Sequence, residues 1–568
     1  MTSWDHEVDL LIVGSGSAGM TAALTAKLEG LNPLIVEKAE HYGGSTAISG
    51  GGIWIPNNHL MEEAGIEDSL EKARTYMKHT VGERTPEANQ EAFLKHAPKM
   101  IQYISKLPHM KFQTTPGLSD YHPERPGGLT HGRGIETPIF AGAKLGSTFK
   151  EQRPIPICAP FGILVTIPEV RKISLAMTNP SHLIDLFKIF TRNLFAIVFR
   201  RKHFGLGSGL TARLRMSLKE QDVPVWLSTP VREIIFENGS SLGAEGSSPG
   251  AKGSAIGVEV ERDGKKIRIR AKKGVVLAAG GFPHNYAMRK KYQKHPVSTE
   301  WTLASPDNTG DLIQMGIDAG AAVDLMDDSW GMPTLLAGDV PSFPLLADRS
   351  YPGSIVVNAR GRRFTNEAAS YVDFVHAMYD EDAEGELSIP SFMVMDQRFR
   401  SRYFLGPLFP GQTPRKYLES GYIRKADTIE ALAEKTGVDP SGLMETVRKF
   451  NEFARKGKDL DFGRGESDYD CYYGDPSVKP NRCLAPIEKP PFYAVKVHPG
   501  DLGTKGGLLT NEKAQVLREN GEVIQGLYAA GNTSASVMGH SYPGAGATIG
   551  PAMTFGYIAA LHAAGSLK

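Results

Sequence analysis

Residues 8–37 read VDLLIVGSGSAGMTAALTAKLEGLNPLIVE, and the order of their parts decides the fold. The β-branched apolar run at 8–13 predicts a short buried strand. Gly14-Ser15-Gly16-Ser17-Ala18-Gly19 follows as a turn, and MTAALTAKLEG predicts a helix ending at Gly30. PLIVE then gives a second strand with Glu37 at its end. Strand, glycine turn, helix, strand and acid make a dinucleotide-binding unit. The glycines turn the chain and let backbone approach a pyrophosphate, while the helix N-terminus offers N–H groups and positive dipole to phosphate. Glu37 is placed to accept ribose hydroxyls.

A second glycine-rich loop, His41-Tyr42-Gly43-Gly44-Ser45-Thr46-Ala47-Ile48-Ser49-Gly50-Gly51-Gly52, comes directly after the acidic strand. It suits a long buried cofactor whose ring system needs close backbone approach, and so points to FAD rather than NAD. Two distant segments repeat a strand ending in Ala-Ala-Gly: VVLAAGGF at 275–282 and GLYAAGNTSASVMG at 526–539. Small residues at strand ends let backbone touch a ligand. Between them PVREIIF (230–236) and AIGVEV (255–260) predict a hairpin with a glycine- and serine-rich tip at 238–254.

The expected fold is therefore α/β: a discontinuous Rossmann-like FAD-binding domain, residues 1–297 and 500–568, with an α+β catalytic, capping domain inserted at 298–499. The FAD candidates are Gly14, Gly16, Ser17, Ala18, Gly19, Glu37 and Lys38 from the first unit, and Gly44, Ser45, Thr46, Ser49, Gly51 and Gly52 from the second loop. Val231, Ala279, Gly280, Gly281, Gly531, Asn532, Ala547, Thr548 and Ile549 complete the set.

Lysine plus arginine number 64 against 63 aspartate plus glutamate, for a formal charge of +1. That balance argues against a nucleic-acid partner, which would require a basic excess. Cys158, Cys471 and Cys483 lie far apart with no CxxC, which disfavours a disulfide framework or a cysteine metal site and fits a reducing cytoplasm. No metal is expected. The N-terminus has no basic region or cleavage site, and no apolar run is long enough to span a bilayer.

Within an insertion at 151–206, SHLIDLFKIFTRNLFAIVFRRKHF (181–204) is the unusual stretch. Asp185, Lys188 and Arg192 share one helical face. Leu183, Ile184, Leu186, Phe187, Ile189, Phe190 and residues 194–199 make a broad apolar surface, which Arg200, Arg201 and Lys202 cap. This pattern predicts an in-plane interfacial helix over 183–202, bringing a cytoplasmic protein to the inner face of the cell membrane.

Further motifs carry a resemblance. They are Asp120-Tyr121-His122-Pro123-Glu124-Arg125-Pro126-Gly127-Gly128, Asn366-Glu367-Ala368-Ala369-Ser370-Tyr371, Gly500-Asp501-Leu502-Gly503-Thr504-Lys505-Gly506-Gly507, and Ser541-Tyr542-Pro543-Gly544-Ala545-Gly546-Ala547-Thr548-Ile549-Gly550-Pro551. With the glycine loops they make the chain resemble, over nearly its whole length, the fumarate reductase/succinate dehydrogenase flavoprotein superfamily. Within it the chain is most similar to the 3-ketosteroid dehydrogenases of the Δ1 type. The resemblance implies a steroid substrate, noncovalent FAD and 1,2-desaturation of a 3-keto-4-ene steroid. It implies that Tyr542 and the amide of Gly546 hold the C3 oxygen and that Tyr371 takes the C2 proton. Tyr121 supports Tyr371, and the C1 hydrogen leaves as hydride to the flavin.

Three alternatives stand beside this reading. A Δ4-(5α)-dehydrogenase would use the same ketone-holding site. A dicarboxylate oxidoreductase would carry a cationic clamp and a histidine-rich HTMGG-like stretch, where this chain has GDLGTKGG. A non-catalytic flavin- or lipid-binding membrane module would need no base. His498 and His540 flank the late motifs and are read as structural. The electron acceptor is not indicated.

Overall fold

The computed structural model describes residues 4–155, 165–176, 181–198, 203–237, 241–243, 253–336, 338 and 342–567. Its centre is a nine-stranded sheet. Strand His6–Val13 runs parallel to Lys265–Leu277 on one side and to Pro33–Val36 on the other. Val523–Ala529 adds in parallel to the end of Lys265–Leu277, and Val225–Trp226 to Pro33–Val36. The expected hairpin is present: Val231–Phe236 pairs antiparallel with Ala255–Arg262, which pairs with the first half of Lys265–Leu277. Most of its expected tip lies outside the described residues.

Alternation sorts the central strands onto two cores. Leu10, Ile12 and Val276 face one hydrophobic cluster; Val8, Leu11, Val13, Val275 and Leu277 face the other. A parallel sheet covered on both faces produces the continuous apolar runs read in the sequence. Helices Ser17–Leu28 and Ile549–Ala564 lie together on the first core, and the latter is buried along nearly its whole length. Its apolar character all round is that of an interior helix.

A second, six-stranded sheet is built around the long strand Phe492–Thr504, which runs through residue 500. It pairs antiparallel with Ser329–Leu335, Ser391–Met395 and Arg424–Ala426. Val356, Met393, Met395, Tyr493 and Val495 point to one face; Ile355, Val357, Phe392, Val394 and Phe492 point to the other. Helix Tyr371–Ala383 lies against strand Ser329–Leu335 at Gly331, where an added Cβ would stand 2.7 Å from Val375 Cβ. That close approach carries Tyr371 towards the central sheet.

Among its described residues the insertion holds helices Ile167–Ser174 and Ser181–Val198. No helix among the described residues is long and apolar enough to cross a membrane.

Candidate active site

A cavity of about 500 Å³ opens at the carboxyl ends of the central strands, where open α/β sheets bind ligands, and extends under the second sheet. Of the expected residues it is lined by Gly14, Gly16, Ser17, Ala18, Glu37, Lys38, Gly44, Ser45, Thr46, Ser49, Gly51, Gly52, Val231, Ala279, Gly280, Gly531, Asn532, Thr548 and Ile549. Tyr121, Tyr371, Tyr542 and Gly546 line it as well. Gly19, Gly281 and Ala547 do not. A Cβ on Gly19 would lie 2.0 Å from the Gly14 carbonyl oxygen, so that glycine lets the first helix close on its own turn. On Gly281 it would lie 2.0 Å from Thr504 Oγ1, which places it against the second sheet's long strand. Ala547 is buried in the core.

The glycine-rich half fits FAD. Gly14 has φ +107°, and an added Cβ would meet the Ala278 carbonyl oxygen at 2.4 Å, so only glycine turns here. Helix Ser17–Leu28 has Gly16 at its N-cap and no N-cap side chain; the Ser17 N–H donates to Thr46 Oγ1 at 3.2 Å, which leaves the next N–H groups of the first turn for phosphate. Ser15 anchors Glu37 at its strand end: its N–H (3.0 Å) and its hydroxyl (2.7 Å) both donate to Glu37 Oε2. Lys38 is drawn to Asp311 (2.7 Å) and Thr309 (2.6 Å). The wall also includes Ser305 and Asn308, both bonded to Ser45 Oγ, at 2.9 and 2.8 Å, and Arg153 paired with Asp307. Sequence reasoning missed these, because 305–308 lies past the first expected boundary and carries no glycine signature.

At the other end three tyrosines converge. Tyr121 donates to the Tyr371 hydroxyl at 2.8 Å. Ring centroids stand 5.3 Å apart for Tyr121–Tyr371, 5.1 Å for Tyr121–Tyr542 and 5.4 Å for Tyr371–Tyr542. All three are buried. Burial raises the Tyr371 hydroxyl well above the ordinary tyrosine range, and the smaller effect of the Tyr121 hydrogen bond opposes it. Burial raises Tyr121 and Tyr542 also.

Each tyrosine is fixed by its own motif. The Tyr121 N–H donates to the Pro543 carbonyl at 2.9 Å, joining the Asp120 and Ser541 motifs through their backbones. Asp120 beneath it accepts from Trp54 Nε1 and from Arg133, both at 2.8 Å. Tyr371 opens its helix because Arg349 donates to the Ala369 carbonyl (2.7 Å), while buried Glu367 pairs with Arg363 (2.7 Å) and Arg464 (3.2 Å). Tyr542 accepts from Thr548 Oγ1 (3.2 Å) and lies 4.9 Å from the Trp330 ring.

Behind Tyr542, Lys505 is fully buried. It pairs with Asp328 at 2.9 Å and donates to the His540 and Ser541 carbonyls at 2.8 and 3.2 Å. Gly546 has φ +95°, and its Cβ would overlap the Gly52 backbone at 2.3 Å, so the tyrosine end is locked to the second glycine loop.

His540 contacts Asp328 (3.2 Å), and His498 stacks on Trp301 with centroids 5.4 Å apart; neither lines the cavity. Tyr472 and Tyr473 do line it and were missed, since a short aromatic helix at Asp468–Tyr473 has no periodicity to read. Among the described residues no group of three His, Cys, Asp or Glu is arranged to hold a metal ion.

A glycine-cradled cofactor cleft meeting a buried tyrosine cluster defines a flavoprotein. The family of FAD binding domains matches residues 9–549. The 3-oxosteroid 1-dehydrogenase of Mycobacterium tuberculosis (strain ATCC 25618 / H37Rv) is 45% identical over 98% of each chain. That of Mycolicibacterium smegmatis is 44% identical over 98% of this chain and 97% of its own. A 3-ketosteroid Δ1-dehydrogenase from Sterolibacterium denitrificans, solved with 1,4-androstadiene-3,17-dione, superposes with a TM-score of 0.92. It has 41% identity and is covered fully, against 99% of this chain. The chain belongs to the 3-oxosteroid 1-dehydrogenase family of FAD-dependent oxidoreductases.

Proposed function

We propose that the protein desaturates the C1–C2 bond of 3-keto-4-ene steroids. The observation that carries this reading is the convergence of Tyr121, Tyr371 and Tyr542 beside Gly546 in one cavity whose other half fits FAD. The steroid ketone receives the Tyr542 hydroxyl and the Gly546 amide, two fixed donors that stabilise charge developing on C3 oxygen. That charge makes the C2 hydrogen acidic, and the Tyr371 oxygen takes it as a proton. Tyr121 donates to Tyr371 and so favours the form that can accept. A bound flavin supplies the acceptor for the hydride leaving C1. The FAD is held without a covalent bond. Leu118, Leu303, Met332, Leu346 and Leu502 give the cavity an apolar wall that suits a steroid and excludes water.

The insertion helix is the membrane contact. Its charged face is turned inward: Asp185 pairs with Lys172 (2.9 Å) and Arg192 with Glu169 (2.8 Å), on the helix whose Ile167, Val170, Arg171 and Ser174 line the cavity. Its apolar face is left outward, with Phe187 68% and Ile184 64% exposed. Exposed apolar side chains of this size on one face suit the headgroup boundary of a bilayer. The expected basic cap at 200–202 lies outside the described residues.

Turnover of androst-4-ene-3,17-dione with a dye acceptor tests the reaction. The expected product is two mass units lighter with a C1–C2 double bond; a double bond elsewhere refutes it. Co-sedimentation with liposomes tests the helix: Phe187→Ser with Phe190→Ser is expected to abolish binding, and undiminished binding refutes it.

A further inference from the structure

A wall of aromatic rings leads from the reaction centre to a single arginine. Tyr121 meets Tyr469 at a centroid separation of 4.7 Å, Tyr469 meets Tyr473 at 5.4 Å, and Tyr473 meets Tyr472 at 5.0 Å. Arg171 lies over the Tyr472 ring at 4.7 Å, and its Nε donates to the Tyr472 carbonyl at 2.6 Å. Tyr121, Tyr473, Tyr472 and Arg171 all line the cavity. On the steroid reading, a fused-ring substrate whose ketone is held at Tyr542 and Gly546 follows Tyr121, Tyr473 and Tyr472 towards Arg171, with Tyr469 packed behind them.

The guanidinium is placed as a receptor. Its stem is half-buried on helix Ile167–Ser174, its plane is set by the Tyr472 face, and Nε is committed. Its two terminal nitrogens have no hydrogen-bond or carboxylate partner among the described residues. The nearby acids are engaged elsewhere. Glu169 pairs with Arg192 and accepts from the Thr166 N–H, while Glu136 accepts from the Ile167 N–H and Gln113. Two uncommitted guanidinium nitrogens at the cavity wall can receive an anion, and their planar fork matches a carboxylate. Ser174, on the same helix, and Tyr351 also line this part of the cavity, with the Ser174 hydroxyl donating to the Val170 carbonyl at 2.9 Å.

We propose that Arg171 forms a subsite for an anionic group at the far end of the steroid. The favoured substrates are then 3-keto-4-ene steroids with a carboxylate on carbon 17 or its side chain. This rests on the steroid reading of the tyrosine site. It adds a specificity that the tyrosines do not supply, since they act on the ketone alone.

The test compares 3-oxoandrost-4-ene-17β-carboxylic acid with its methyl ester, which keeps the skeleton and removes the charge. The wild-type protein is expected to show a KM about tenfold lower for the acid. Arg171→Met is expected to erase that difference, and Arg171→Lys to restore part of it, since the charge is kept and the fork lost. Flavin content and visible spectrum report that each variant is folded and loaded. Equal KM values for acid and ester in the wild type overturn the subsite, as does an undiminished preference in Arg171→Met. If neither compound is turned over while the flavin is intact, the steroid reading itself fails, which separates the two conclusions.

Discussion

The Tyr121 hydroxyl donates to the Tyr371 hydroxyl at 2.8 Å, although the two residues are 250 positions apart and stand on different sheets' appendages. One hydrogen bond therefore joins the cofactor side of the molecule to the second sheet, at the tyrosine proposed to take the proton. Removing each hydroxyl separately divides the roles. Tyr371→Phe is expected to lower kcat about a thousandfold, because it removes the hydroxyl proposed to take the C2 proton. Tyr121→Phe should cost about tenfold to a hundredfold, the value of a hydrogen bond to a charged partner. Steady-state kinetics on androst-4-ene-3,17-dione check both; equal losses would contradict the division.

Tyr542→Phe removes the donor proposed for the ketone oxygen and is expected to reduce kcat by about a hundredfold to a thousandfold. Retention of flavin with this loss would localise the effect to the substrate. Unaltered turnover would show that the ketone is held elsewhere.

The pH profile follows from burial. The Tyr371 hydroxyl is raised well above the ordinary tyrosine value, so its ionised fraction is small at neutral pH and grows about tenfold per pH unit below its pKa. A logarithmic plot of kcat/KM should therefore climb with pH through the neutral and alkaline range with a slope near one. A flat or falling profile would contradict Tyr371 as the base.

Lys505 and Asp328 are tested by stability. Asp328 is held well below the ordinary carboxylate range, the Lys505 charge opposing the effect of burial. Lys505→Met leaves that carboxylate buried without its principal cation and should destabilise the fold by about 3 to 5 kcal/mol. The double variant with Asp328→Asn should recover part of the loss in a thermal melt. Additive losses would contradict direct coupling.

His498 gives the acid limb. Burial lowers it from 6.5 to about 4, so the folded protein holds it neutral while the unfolded chain protonates first. Its contribution is complete above about pH 6.5 and is lost as pH falls towards 4, by about 3 kcal/mol. His96, lowered to about 4 by burial, acts in the same sense. Urea midpoints between these limits should drop on acidification, and His498→Gln should flatten the drop.

The first unit was legible because strand, turn and helix are local patterns: residues 8–37 carry their own periodicity and glycines, and the Ala-Ala-Gly strands end where a ligand must touch backbone. Tyr121, Tyr371 and Tyr542 were not legible from pattern, since burial and long-range packing bring them together; the family resemblance pointed to them. Tyr472, Tyr473 and Arg171 had neither signal. The polar face of Ser181–Val198 was readable as a stripe, but its partners Lys172 and Glu169 required the fold.

The most direct measurement is anaerobic mixing of the flavin-loaded protein with androst-4-ene-3,17-dione, followed by flavin absorbance, in the wild type and in Tyr371→Phe. The wild type should bleach rapidly and yield the C1–C2 double bond, while the variant binds steroid but bleaches about a thousandfold more slowly. Bleaching of the variant at the wild-type rate would contradict Tyr371 as the residue that takes the C2 proton.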